Sequence, residues 1–383
     1  MKVKVAIFCH SLVSDWNHGN AHFLRGVVAE LQARGHEVNV FEPREGWSRQ
    51  NLLRDYGSQP VDDFQRAFPG LCSTLYDTAD TDWPLDEWLD GVGLVLVHEW
   101  NDPKLVAAVG RYRKANAGLR LFFHDTHHRA VTAPHELARF DLSHYDGVLA
   151  YGASLRDAYR KLGWGKQVHV WHEAADICVF RPIDVAWKSG DLVWIGNWGD
   201  GERTAELREY FIAPAAELGL KTQVFGVRYP AEAIGELSAA GISYGGWLPN
   251  HQVPATFAQF KATVHVPRRP YTQQLPGIPT IRPFEALACG IPLVSAPWED
   301  TERLFRIGTD FLMARNGHEL KTHLRSVLND KDLAASLVMH GLETIRGRHT
   351  CAHRVDELLD LFDAAQPDAS FAAEQVFATE MLS

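Results

Sequence analysis

Short apolar runs alternate with longer amphipathic stretches from the first residues onward. "KVKVAIF" reads as a buried strand, "GNAHFLRGVVAELQARG" as an amphipathic helix closed by Gly35, and "HEVNVFEP" as the next strand. That order predicts a right-handed βαβ opening. Further strands are expected at "VGLVLVH", "LRLFFH", "DGVLAY" and "QVHVWH", separated by helical patterns such as "DPKLVAAVGRYRKAN" and "SLRDAYRKLG". Apolar strands alternating with helices imply a parallel sheet covered on both faces.

The pattern restarts after "FRPIDVAWKSG", whose Pro and Gly mark a linker near residues 180–190. Strands are then expected at "DLVWIG", "KTQVFG", "ISYGGW", "ATVHVP", "IPLVSA" and "DFLMA", interleaved with helices at "ERTAELREYFIAPAAELG", "RPFEALACG" and "GHELKTHLRSVLND". A second α/β unit follows from this. Segment 43–90 is less regular and carries Trp47, Tyr56, Phe64, Phe68, Tyr76, Trp83 and Trp88 among Asp and Gln. Two readings fit it: an insertion over a cleft, or a satellite hydrophobic cluster under long loops. From residue 351 the chain reads as helical, with "FAAEQVFATEML" expected to pack back on the first unit.

Composition gives this architecture room. The chain has 383 residues, 46% hydrophobic and 22% charged, enough for two globular domains with a core each. A net charge of −10 argues against nucleic acid as the main partner. The five cysteines form no CxxC pair, so neither a disulfide framework nor a zinc ribbon is indicated and a reducing, cytoplasmic setting is expected. No apolar run is long enough to span a bilayer, which leaves peripheral membrane contact open.

In open α/β sheets, ligands sit beyond the carboxyl ends of the strands, and that rule selects the candidate chemistry. Gly19 and Asn20 stand at the first helix start, where a diphosphate could approach, although plain helix capping is the commoner use of such a pair. In "FFHDTHHR", His124 and Asp125 follow a strand end and could act on a sugar hydroxyl or on developing charge. His127 and His128 fit a structural role as well as a catalytic one. A run of this kind scatters its side chains, so no metal site is expected there. "IGNWGDGERTAEL" is a glycine-rich strand-to-helix turn with Gly196, Asn197 and Arg203, but it lacks the ending of a P-loop. Arg228 lies past another strand end, and Arg268, Arg269 and Arg282 surround the "PYTQQLPGIPT" loop. GxSxG, GxGxxG, HExxH and kinase signatures are absent, which weakens hydrolase, dehydrogenase and metalloprotease readings.

Two stretches carry a resemblance. "DGVLAYGASLRDAYRKLGWGKQVHVWHEAADICVFRP", with Asp176, Phe180 and Pro182, resembles the end of the first domain in GT-B glycosyltransferases of the glycogen-synthase-like superfamily, glycosyl transferases group 1. "RPFEALACGIPLVSA" resembles their nucleotide-binding helix, and its arginine-led form is most similar to the sporulation-protein-like branch. The resemblance implies an α/β GT-B fold: two Rossmann-like domains facing across a cleft. Residues 1–182 would form the acceptor domain and 183–350 the nucleotide-sugar domain, with 351–383 as C-terminal helices returning to the first. It implies a donor site containing Arg282, Pro283, Phe284 and Glu285, the last on the ribose hydroxyls, with Gly19, Asn20, Gly196 and Asn197. Arg203 and Arg228 would steady the leaving diphosphate, and His124 would lie near the transferred sugar, with Asp125 beside it as a further catalytic candidate. The implied reaction moves a sugar from a nucleotide sugar, a substrate and not a cofactor, to a hydroxyl of a saccharide, lipid-linked, peptide or small-molecule acceptor, with retention and without metal. One position departs: many relatives carry an acid eight residues before the helix glutamate, where this chain has Gly277. A sugar-nucleotide epimerase, a non-catalytic sugar-nucleotide-binding protein and, on fold alone, a DNA glucosyltransferase remain as alternatives.

Overall fold

The computed structural model describes residues 2–364, which build two parallel sheets. The first contains β1 (Lys4–Phe8), β2 (Glu37–Pro43), β3 (Thr74–Tyr76), β4 (Leu94–His98), β5 (Arg120–Asp125), β6 (Gly147–Ala150) and β7 (Val168–Val170). Their spatial order is β3-β2-β1-β4-β5-β6-β7. Every residue of β4 and β5 is buried, as unbroken apolar runs require when helices cover both faces. The second sheet contains β8 (Gly190–Ile195), β9 (Thr222–Phe225), β10 (Ile242–Tyr244), β11 (Phe260–His265), β12 (Leu293–Ser295) and β13 (Leu312–Met313), ordered β10-β9-β8-β11-β12-β13. The order reverses beside β1 in one sheet and beside β8 in the other, so loops diverge there and open a crevice. Two Rossmann-like domains face each other across it.

Two expectations need correction. Segment 43–90 is not simply an insertion: it forms helices Trp47–Tyr56 and Gln59–Ala67, then supplies β3 to the sheet edge. Its aromatic residues divide accordingly, with Trp88 stacked on Phe41 at 4.8 Å inside the domain while Trp47 faces the cleft. The stretch "ERTAELREYFIAPAAELG" is not one regular α-helix either, because a π-helical turn at Arg208–Ile212 separates two short α segments. Pro214 lies just beyond, where its missing N–H removes a rung of the α pattern.

The chain crosses between domains twice, side by side. Ala175 on the first crossing accepts from Cys351 N at 3.0 Å and donates to His349 O at 2.9 Å on the second. Helix Cys351–Ala364 then lies on helix Ala21–Ala33, and Trp171 Nε1 donates to Arg354 O at 2.8 Å. "FAAEQVFATEML" falls outside the described residues. One apolar cluster runs from Phe23, Trp171 and Phe180 to Phe284 and Phe305, so a continuous core joins the domains behind the cleft.

Candidate active site

The crevice between the sheets has a volume of about 600 Å³ and is walled by residues at the carboxyl ends of strands in both domains. On the second-domain wall, the turn after β8 holds Gly196, Asn197, Glu202 and Arg203. The Arg203 guanidinium donates to Asn197 O at 2.8 Å, Asn197 Oδ1 at 2.6 Å and Val266 O at 3.1 Å, and lies over Trp194. Arg268, after β11, reaches the same Asn197 Oδ1 at 3.1 Å and Glu202 at 2.9 Å. Arg282, at the start of helix Ile281–Ala288, lines the cleft too. Burial lowers the pKa of Arg203 to about 9, and repulsion from Arg268 and Arg282 adds to it. Arg228 sits over Trp47 of the first domain and pairs with Asp200 at 3.1 Å. Guanidinium groups crowded at one turn make a site in which a dianion relieves repulsion and finds donors in a planar fork.

The first-domain wall is rich in imidazoles. His10, His18 and Asn20 come from the loop after β1, Trp100 from the end of β4, and His127 and His128 from the end of β5. Burial lowers the pKa of His10 to about 3 and those of His18 and His127 well below the ordinary value. These rings are therefore neutral near pH 7 and can both donate and accept. Asn20 Nδ2 lies 3.2 Å from His98 Nε2 and 3.1 Å from Thr126 Oγ1. The walls meet where His128 Nε2 approaches Glu202 Oε2 at 3.6 Å and where Asn17 and Asn197 join side chains.

Many shielded polar atoms on these walls have no hydrogen-bond partner. They include His18 Nε2, Asn20 Oδ1, His127 Nδ1, His128 Nε2, Tyr151 OH, Glu173 Oε2, Arg203 Nε and His265 Nε2. Shielding such atoms without partners is costly, so their concentration on one cleft marks where a polar ligand would complete the bonding.

Gly19, Asn20, Gly196, Asn197, Arg203, Arg228 and Arg282 all line the cleft. His124, Asp125, Pro283, Phe284 and Glu285 lie behind it. His124 packs edge-on against Trp171 at 4.8 Å and His98 at 5.2 Å, and Asp125 accepts from Tyr159 OH at 2.7 Å. Successive β5 side chains go to opposite faces of the sheet, so both are consumed by packing and it is His127 and His128, past the strand end, that reach the cleft. Pro283 and Phe284 are buried, with Phe284 against Phe305 at 5.2 Å. Glu285, one turn after Arg282, is fully buried: Oε1 accepts from His22 Nδ1 at 3.0 Å and Asn250 Nδ2 at 3.3 Å, and Arg282 takes Oε2. His22 Nε2 accepts the Asp176 amide at 2.8 Å, which fixes the proton on Nδ1.

Gly277 is off the cleft wall as well. Its φ is +92°, and a Cβ there would lie 2.3 Å from Thr301 Oγ1, so this loop excludes a side chain. Sequence reasoning missed Glu173, Tyr151 and His265, whose strand-end positions were visible, and Glu202, which looked like part of a turn.

Among the described residues, no group of three or more His, Cys, Asp or Glu is gathered as metal ligands require, and no helix is long and apolar enough to cross a membrane. A family model described as glycosyl transferase-like matches residues 203–360. No curated protein matches the chain. Among solved structures, sucrose-phosphate synthase from Thermosynechococcus elongatus has 14% identity and a TM-score of 0.63, covering 97% of this chain and 100% of that one. The Anabaena protein HepE, in complex with UDP and glucose, has 13% identity and a TM-score of 0.64, covering 94% and 99%. T4 phage beta-glucosyltransferase has 14% identity and a TM-score of 0.58, covering 94% and 99%. These likenesses are structural, and they establish the fold as GT-B.

Proposed function

We propose that the protein transfers a glycosyl unit from a nucleotide sugar to an acceptor hydroxyl in the interdomain cleft. The observation that carries this reading is the set of unpartnered polar atoms on both walls, grouped around Arg203, Arg268 and Arg282. The family match over residues 203–360 supports it, since that stretch holds all three arginines. The HepE structure, which shares the fold and holds UDP and glucose, supports it as well.

In this reading the anomeric carbon–oxygen bond to the diphosphate breaks and a bond to the acceptor oxygen forms. The acceptor proton leaves with the diphosphate. Negative charge grows on the bridging oxygen, and the arginines with the N-terminus of helix Ile281–Ala288 meet it where it develops. These groups supply the positive charge from the chain itself, so turnover is expected to survive chelation by EDTA. We infer retention at the anomeric carbon from the resemblance, with a product analysed by NMR as the check. The arginine-led start of the helix, Arg282, supports placement near the sporulation-protein-like branch.

Calorimetry with UDP, GDP, dTDP and ADP tests the reading. One diphosphate is expected to bind, and Arg268→Ala is expected to weaken it by about 10- to 100-fold, the value of a charge-assisted hydrogen bond. Absence of binding by all four, or an unchanged affinity in Arg268→Ala, would place the function elsewhere. Conversion of the sugar with the nucleotide still attached would mean epimerisation.

A further inference from the structure

The nucleotide-sugar reading accounts for the arginines but leaves Glu173 without a task. This residue stands on the first crossing, three positions past β7, lines the cleft and is 5% exposed. Its Oε2 is shielded from solvent and has no hydrogen-bond partner. Asp176, on the same crossing, behaves differently: its carboxylate accepts the Cys178 amide at 3.0 Å and shapes the linker. Glu173 shapes nothing comparable. Tyr151, from the loop after β6, lines the cleft beside it, with its hydroxyl shielded and turned toward that of Tyr271.

We infer that Glu173 and Tyr151 form the subsite that binds the hydroxyl groups of the transferred sugar. The inference rests on the nucleotide-sugar reading and adds the residues that recognise the glycosyl unit. A carboxyl beside a phenol offers donors and acceptors matched to vicinal hydroxyls, whereas a phosphate would be served by the arginines opposite. Burial raises the pKa of Glu173 to about 8, with Glu285 and Glu99 adding to it and Arg282 opposing. Tyr151 and Tyr271 face it from the loop after β6 and from helix Arg269–Gln273, and burial holds both phenols protonated. Near pH 7 Glu173 is thus a neutral carboxyl, able to donate to a sugar oxygen without repelling the diphosphate. It also supplies a carboxyl from the first domain, whereas the loop at Gly277 admits no side chain.

The test compares the affinities of a nucleoside diphosphate and its sugar conjugate, UDP with UDP-glucose and GDP with GDP-mannose, for the full chain and its variants. Glu173→Ala is expected to weaken the conjugate by about tenfold, the effect of one lost hydrogen bond, while the free diphosphate changes by less than about twofold. Glu173→Gln keeps a donor and an acceptor and is expected to restore conjugate binding. In the unaltered protein, conjugate affinity is expected to fall as pH rises through 8, and in Glu173→Gln it is expected to stay level. Thermal melting of Glu173→Ala should be close to that of the parent, because its Oε2 makes no hydrogen bond within the protein. If the conjugate binds Glu173→Ala as tightly as the parent, or if both ligands weaken together, the inference fails while the nucleotide-sugar reading stands. If the parent binds none of these ligands, nor dTDP or ADP, both fail.

Discussion

Glu285 accepts from His22, Asn250 and Arg282, and each comes from a different part of the chain. An acid in the first turns of a helix that leads into a strand attracts a ligand-binding interpretation from sequence, because helix starts collect anions and polar groups. The helical face it occupies is settled by packing: one turn after Arg282, the side chain points to helix Ala21–Ala33 and not to the cleft. A buried carboxylate held by three donors contributes to stability through its partners, and deleting it strands them. Glu285→Ala is therefore expected to cost about 3–5 kcal/mol in urea unfolding, with a strongly non-additive cycle against His22→Ala. Arg268→Ala, at a half-buried position on the wall, is expected to leave stability nearly unchanged and to alter diphosphate affinity. If Glu285→Ala kept full stability, the three hydrogen bonds would not be formed in solution.

At the scale of elements, the strands were legible and their ends were not. Continuous apolar runs such as "VGLVLVH" and "LRLFFH" mark strands buried on both faces, because they are too short for a helix and rich in β-branched or aromatic side chains. His124 and His127 look alike in the string "FFHDTHHR", yet the pleat sends the first into packing and the turn sends the second to the cleft. The π-helical turn at Arg208–Ile212 had no compositional mark beyond Pro214. The glycine-rich turns after β8 and β9 were visible as punctuation, and their reason is mutual contact: Gly226 has φ +153°, and a Cβ there would lie 2.1 Å from Gly196 O. Backbone against backbone cannot yield. Gly226→Ala is expected to destabilise the second domain by about 2 kcal/mol or more and to displace Asn197, weakening diphosphate binding as well. Normal melting with normal affinity in this variant would show that the two turns separate freely.

For the whole molecule, joining two sheets by one continuous core places the polar cleft against buried imidazoles and carboxyls, and this sets the dependence of stability on pH. Burial lowers His10, His98, His265 and His349 to about 3, and His18, His124 and His127 well below the ordinary value. Their folded pKa values lie below the unfolded value near 6.5, so the unfolded chain binds more protons in acid, and stability is lost as pH falls below about 6.5. Burial raises Glu99 and Asp125 to about 7 and Glu173 to about 8. Here the folded chain holds protons that the unfolded chain releases, so stability is lost as pH rises from the ordinary carboxylate range to about 8. The histidines outnumber the carboxyls, so the acid limb is the steeper one between pH 5 and 6.5, and the two effects balance near neutrality. Melting temperature is expected to peak at about pH 7, to fall sharply by pH 5 and to decline more gently toward pH 8.5. A melting temperature that stayed level or rose between pH 7 and 5 would mean that the histidines of the cleft reach water and protonate in the folded state, and the dry first-domain wall on which the sugar subsite depends would be lost with it.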